Sequence, residues 1–393
     1  MTERKKIAAI LTTCFVRSHA EVILPKLIKG IPTDDGIMEP KVDVASIYLD
    51  QIHEKDVCLP LAQEQGIPVL PSIVKALTLG GKELAVDGVL IVGEHGDYAW
   101  NEKEQHLYPR RFFFEQVCGV FATSGRAVPV FSDKHLSWSW EQACWMYDRA
   151  RELHVPFMAG SSLPVAYRRP WLEYDLDTPV DEALSMAFGG LDSYGFHALE
   201  LLQCMVERRP GGETGIVAVQ CLEDDEVWKA RDRGVWSGEL AAAAEQHIER
   251  RKEGSMEDNC ERPAVFLLEY ADGLRTATLM LNGHLSGWGY AARSGGQVHG
   301  METYLHGDPH PHFSYLTLNI QELFVTGQPQ YPVERTLLIS GALEALMESR
   351  HRGHVRVETP HLNVSYRSYE KMPIRPTQPR PTGANAIPWR SED

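Results

Sequence analysis

The sequence predicts an α/β chain in which a doubly wound parallel sheet is followed by an α+β part with an open, mostly antiparallel sheet. Two observations carry this. Up to about residue 160, short apolar runs alternate with segments of helical period, the pattern of repeated βαβ units. After Gly160 the runs lengthen and partly alternate, and Asp272-Gly273 between two of them is a hairpin signal.

Taken in order, Ile7 to Leu11 is a continuous apolar run, as in a strand buried on both faces. A helix is expected from about Ser18 to Lys29, with Val22, Ile23 and Leu27 on one face, then a strand from Val42 to Leu49 that ends at Asp50. Helices are expected around Glu54–Gln65, from Ser72, over Pro109–Thr123 and over Ser139–Leu153. Between them lie strands at Pro68–Leu70, Gly88–Val92, Val128–Phe131 and Pro156–Ala159. Later strands are expected at Val217–Leu222, Ala264–Tyr270, Arg275–Leu281 and Val355–Val364. Glu239 to Lys252 reads as a charged surface helix, and the Pro-rich stretch from Lys371 as a tail. At about 150 residues per domain, a chain of 393 gives two to three. The boundaries expected are 1–160 for a nucleotide-binding domain, 161–370 for a substrate and oligomerisation domain, and 371–393 for the tail.

Composition removes several classes of function. A net charge of −15 does not suit a phosphate-backbone binder, so no nucleic acid is expected as partner. The seven cysteines are scattered and include no CxxC pair, which argues against a zinc ribbon or a disulfide scaffold. The apolar run near the N-terminus is too short to span a membrane and has no signal-peptide cleavage pattern, so a cytoplasmic protein without a membrane partner is expected.

Chemistry-bearing residues gather at strand ends. After the first strand comes Thr12-Thr13-Cys14-Phe15-Val16-Arg17-Ser18-His19, with no glycine in the turn. After Gly88–Val92 comes Gly93-Glu94-His95-Gly96-Asp97-Tyr98, which puts an acid and a base where α/β sheets bind ligands. After Val128–Phe131 comes Ser132-Asp133-Lys134-His135, whose lysine can polarise or deprotonate a hydroxyl. Gly189-Gly190-Leu191-Asp192-Ser193-Tyr194-Gly195-Phe196-His197 places a histidine, the side chain that titrates nearest neutrality, on a helix. The run His306 to Phe313 holds three histidines and an aspartate; His310 and His312 would share a face if extended. A metal needs further ligands, so none is assigned, and the run reads as an exposed loop or subunit contact. Trp288, Tyr290 and Tyr304 read mainly as packing.

From Ile7 to about Tyr366, these segments and their order resemble the glucose–fructose oxidoreductase / inositol dehydrogenase family of nicotinamide-dependent sugar oxidoreductases. The resemblance implies a Rossmann-like first domain and a cofactor, NAD or NADP. The family's acid-Lys-Pro triplet matches at Asp133-Lys134, with His135 in place of proline, and its Asp-x-Gly-x-His segment matches through Gly195 and His197. Asp192 falls one residue early, and Ser193 takes the family's acidic slot. The departure is the first turn, where the family has G-x-G-x-x-G; glycines there let the backbone approach a pyrophosphate. By this resemblance Lys134, His197 and Asp192 are catalytic candidates, Thr13, Cys14, Phe15 and Asp50 are expected to touch the cofactor, and Ser193 and Tyr194 a carbohydrate-like substrate. Glu94 and His95 are expected at the cofactor and Asp97 at the substrate from their place in a strand-end loop, which the family does not explain. The activity implied is hydride transfer between a nicotinamide and a sugar or polyol-like alcohol. The missing glycines and the crowded Glu94-His95-Asp97 loop leave a lyase, isomerase or hydratase on the same scaffold as the alternative. A homo-oligomer, dimer or tetramer, is expected through the second sheet, whose apolar strands have few later helices to cover them.

Overall fold

The computed structural model describes residues 4–382. The first half runs β1 (Lys5–Leu11), α1 (His19–Lys29), β2 (Ile31–Thr33), β3 (Gly36–Met38), β4 (Val42–Leu49), α2 (Cys58–Gln65), α3 (Ile73–Thr78), β5 (Gly88–Val92), α4 (Arg110–Ser124), β6 (Val130–Asp133), α5 (Trp140–Glu152) and β7 (Phe157–Gly160). Five of these strands form a parallel sheet in the order β4-β1-β5-β6-β7. Ile7 to Leu11 and Val89 to Val92 are wholly buried, as expected of central strands covered by helices on both faces. The expected strand at Pro68–Leu70 is only a bridge from Val69 to Ile47.

The second half continues with β8 (Tyr167–Arg169), β9 (Glu182–Ala187), α6 (Ser193–Val206), β10 (Ile216–Glu223), α7 (Asp225–Asp232), α8 (Gly238–Glu245), α9 (Met256–Asn259), β11 (Ala264–Tyr270), β12 (Arg275–Met280), β13 (Trp288–Ser294), β14 (Gln297–Tyr304), α10 (Pro311–Thr326), α11 (Glu334–His351) and β15 (Val357–Glu358). Its eight strands lie in the order β15-β10-β11-β12-β9-β13-β14-β8. All pairs are antiparallel except β12 with β9. Asp272-Gly273 does turn the β11–β12 hairpin, with Gly273 at φ 93°. The strand expected at Val355–Val364 shrinks to two residues.

Helices α6 and α11 cover one face of this sheet, where Phe196, Leu199, Leu338 and Leu343 meet Phe266, Tyr290 and Met301. The opposite face is where sequence reasoning erred. Leu184, Met186, Val265, Leu279 and Ala291 point into a second core built by Val227, Trp236, Leu240, Ala244 and Ile248 of the α7–α8 region. The segment expected as a charged surface helix is therefore this sheet's own cover. The ground for expecting a partner subunit on that face falls with it, because the chain buries the face itself. The tail from Lys371 is described only to residue 382, and the rest of it, 383–393, lies outside the described residues. Arg375 is buried and pairs with Glu173, so this end of the described chain is an extended wrap. All seven cysteines are free, and among the described residues no helix is long and apolar enough to cross a membrane.

Candidate active site

Parallel strands put their carboxyl ends on one side, and three consecutive strand ends build the site. β5 stops at Val92 and hands over to Gly93, whose missing side chain gives room to Arg110: a Cβ there would stand 2.6 Å from the Arg110 Cγ. Glu94 follows, buried, and its carboxylate is gripped from both sides. Lys134 Nζ donates to Oε1 at 2.7 Å, and the Arg110 guanidinium donates to Oε2. Burial opposes ionisation of this acid, but the charges of Lys134 and Arg110 outweigh it and hold Glu94 well below the usual carboxylate range. Lys134 follows the end of β6 at φ 63° and His95 follows Glu94 at φ 68°. Left-handed backbone at residues with side chains costs about 1–3 kcal/mol each and gathers at functional sites.

The opposite wall is the start of α6. Lys134 Nζ lies 3.4 Å from the Ser193 carbonyl, and His197, one turn further on, is buried with Nδ1 unpartnered. Burial first, and then the Lys134 charge, push His197 well below the ordinary imidazole range, so it is neutral near pH 7. Asp192 precedes the helix; its Oδ2 accepts the His106 backbone N–H at 3.1 Å, while its buried Oδ1 has no partner. Burial pushes its carboxyl up to about 6. Tyr194 stacks on Trp288 with centroids 5.8 Å apart and planes 11° from parallel. Together these side chains enclose a cavity of about 390 Å³, within the usual range of about 300–1,000 Å³ for small-molecule sites.

A strap over the cavity joins the two halves of the chain. Trp100 pairs with His106 across a tight loop, and its indole stacks on that imidazole at 4.2 Å. Gln105 Nε2 donates to the Trp138 carbonyl, Lys103 pairs with Glu348 of α11 at 2.8 Å, and Glu104 pairs with Arg350 at 2.6 Å.

Of the residues singled out from sequence, the cavity brings together Glu94, His95, Lys134, Asp192, Ser193, Tyr194 and His197. It does not bring in Thr13, Cys14, Phe15, Asp50 or Asp97. Thr13 and Cys14 are buried, and the Cys14 thiol rests against that of Cys58. Phe15 packs on His53 at 4.4 Å and on the far side of His95 at 5.2 Å. Asp50 accepts hydroxyl protons from Tyr48 and Tyr98, at 2.6 and 2.7 Å. Asp97 is held outside by Gln51, whose amide bonds both its N–H and its carbonyl.

Sequence reasoning missed Arg110 and gave His19, His135, His310 and His312 no role in this cavity. His19 opens α1 and its Nδ1 meets Asp133 Oδ2 at 2.7 Å. His310 and His312 are not in an exposed loop: they sit at the start of α10 and line the cavity, with His312 buried and held neutral by burial and by neighbouring positive groups. No group of three or more His, Cys, Asp or Glu among the described residues is placed to hold a metal.

The residues that would meet a nicotinamide in the cavity are His95 and His197, whose Nε2 and Nδ1 are buried polar atoms without partners. The Asp50 carboxylate is exposed and retains lone pairs for a ribose hydroxyl. The pyrophosphate turn departs from the usual cradle. Ser18 caps α1, accepting from Glu21 N and Phe15 N, and the Glu21 carboxylate accepts the Arg17 N–H at 2.9 Å. Arg17, with a largely exposed side chain at the cavity mouth, pairs with Asp308 at 3.5 Å and is a cation that could turn to a phosphate there.

No protein-family model matches the sequence, and no curated protein matches it either. Solved structures do. GenD2 from gentamicin A biosynthesis, solved in complex with NAD, superposes with a TM-score of 0.57 at 16% identity, covering 91% of this chain and 97% of that one. Scyllo-inositol dehydrogenase from Lactobacillus casei gives 0.54 at 10% identity, with 91% and 98% covered. The WlbA dehydrogenase from Bordetella pertussis, solved with NADH and UDP-GlcNAcA, gives 0.51 at 13% identity, with 91% and 99% covered. The chain thus has the fold of these three proteins along nearly its whole length, the fold that the resemblance implied.

Proposed function

We propose that the chain is a nicotinamide-dependent oxidoreductase acting on a sugar or polyol-like alcohol, with Lys134 and His197 handling the proton. The observation that carries this reading is that both residues face one cavity at the strand carboxyl ends of a fold shared with scyllo-inositol dehydrogenase and the WlbA dehydrogenase. A bound nicotinamide supplies the hydride acceptor or donor. The chain supplies the rest. An ammonium has three donors; Glu94 takes one and the Ser193 carbonyl a second, which leaves the third for a substrate oxygen. His197, kept neutral by burial, can accept the hydroxyl proton at Nδ1 as the carbon–oxygen bond becomes a carbonyl. Asp192 holds the strap at the mouth through His106, and Ser193 and Tyr194 line the substrate side.

Non-redox proton transfer by the same pair (a lyase, isomerase or hydratase) is favoured by one observation, the Ser18 and Glu21 side chains bonded to backbone N–H groups beside the glycine-free turn. One experiment separates the two readings. Full-length protein titrated with NADH and NADPH should quench the nicotinamide fluorescence and raise the melting temperature for one of them. No response to either at millimolar concentration removes the oxidoreductase reading.

A further inference from the structure

Beside the histidine-lined cavity lies a second, larger cleft of about 670 Å³, and Trp100, Asp192 and Ser193 line both. We propose that this outer cleft binds the second ring of a neutral glycoside, so that the substrate has at least two sugar rings, with the reacting ring against Lys134 and His197. The proposal rests on the carbohydrate reading of the inner cavity and not on the cofactor.

Three features of the shared wall and the outer cleft support it. The first is an aromatic platform. Trp100 is 60% exposed, an unusual position for so large an apolar surface, and it is held there rather than left loose. Its ring stacks on His106 within 16° of parallel, and His106 rests in turn on Tyr108 at 4.1 Å. The His106 backbone N–H is anchored on Asp192. A braced indole between the two cavities offers a flat apolar face to the C–H side of a sugar ring, while its polar edge stays wet.

The second is charge. Outside the shared wall, Glu104, Glu223 and Glu261 oppose Lys252, Arg262 and Arg350. Arg350 is already committed, to Glu223 at 2.7 Å and to Glu104 at 2.6 Å. A diphosphate calls for a cluster of cations or an open helix N-terminus. Here the α6 N-terminus carries Asp192, and the Tyr194 and Gly195 N–H groups are bonded to the Gly190 carbonyl. Four carboxyl groups, with Asp192 counted, face three cations, a lining that suits an uncharged ligand rich in hydroxyls.

The third is an unsatisfied acid at the junction. Asp192 is 8% exposed, and its Oδ1 is buried with no partner. Buried polar atoms are rarely left unpaired. This one belongs to a residue lining both cavities, where a hydroxyl next to the inter-ring linkage would donate to it.

The test takes full-length protein and measures affinity by melting shift and tryptophan fluorescence. The probes are glucose, galactose and mannose, the disaccharides built from them in each linkage, and UDP-glucose. At least one disaccharide should bind 10-fold or more tightly than either of its component sugars, with UDP-glucose no tighter than glucose. Glu261→Ala, in the outer cleft alone, should reduce that gain while monosaccharide affinity stays within twofold, and Trp100→Ala, on the wall the two cavities share, should remove it. Disaccharides no tighter than monosaccharides, preferential binding of UDP-glucose, or no sugar bound at 100 mM each overturn the proposal. Parallel assays with NAD+ and NADP+ keep the two readings apart. A disaccharide preference without nicotinamide reduction sinks only the oxidoreductase reading, and reduction with equal use of one and two rings sinks only this one.

Discussion

Lys134 Nζ stands 2.7 Å from one oxygen of Glu94 while Arg110 holds the other, so one buried carboxylate fixes two buried cations at the floor of the cavity. The lysine is thereby aimed by a partner that is itself held in place. Glu94→Gln leaves both cations buried around a neutral amide. Breaking a buried pair in this way costs about 3–5 kcal/mol. Urea denaturation should show a loss of that size; a change below about 1 kcal/mol would mean that water reaches the triad.

Lys134→Ala and His197→Ala should each lower turnover by about 10²-fold or more, as expected for groups that move or steady a proton, with folding retained by circular dichroism. The pH profile carries a further signature. Because burial, aided by the Lys134 charge, depresses His197, the acid limb of kcat/KM should fall well below the pH near 6.5 of an ordinary imidazole. A limb at about 6.5 that survives His197→Ala assigns the titration to another group.

Glu200 offers a stability test away from the chemistry. Burial pushes its carboxyl up to about 7 even though Ser161 donates to it twice and Arg335 is near. A folded value above the unfolded one means that its contribution is fully present below about pH 4.5 and is lost as pH rises through 7. Glu200→Gln, neutral throughout, should match the parent near pH 4.5 and exceed it above pH 7, by up to about 3 kcal/mol. Parallel melting curves with a constant offset at all pH values would contradict this.

Arg17→Ala tests how a turn without glycines meets a phosphate. With its largely exposed side chain at the cavity mouth, the arginine should contribute about 1.5–3 kcal/mol to a charged hydrogen bond, so NADH affinity measured by fluorescence should fall at least 10-fold. Equal affinity in the variant would place the pyrophosphate elsewhere.

Much of this was legible in the sequence for simple reasons. Ile7–Leu11 and Gly88–Val92 are continuous apolar runs because both sheet faces are covered, and a residue just after such a run, Glu94 or Lys134, has to emerge at the sheet's ligand-binding edge. His197 follows from its place one turn into a helix opened by a glycine pair. What stayed hidden depends on chain returns. Arg110 reaches Glu94 only because the intervening strap folds back, and no local pattern marks it. The histidines at 310 and 312 read as a polar loop because their context is polar, yet the helix they begin turns them inward. In the stretch from Glu239 to Lys252, the charged residues outvote Leu240, Ala241, Ala244 and Ile248, whose helical spacing is the part that mattered.

The strap at Trp100–His106 bears on how a ligand gets in and out. It grips the second half at several points at once, through Lys103 to Glu348, Glu104 to Arg350 and the His106 N–H to Asp192. Partly exposed ion pairs are worth only about 0–1 kcal/mol each, but swinging the halves apart like jaws would have to release all of them together. Lifting the short loop alone gives up the same bonds and leaves the two sheets packed as they were. A latch of seven residues can thus free the mouth with the two halves left in place, and the molecule should melt as one unit.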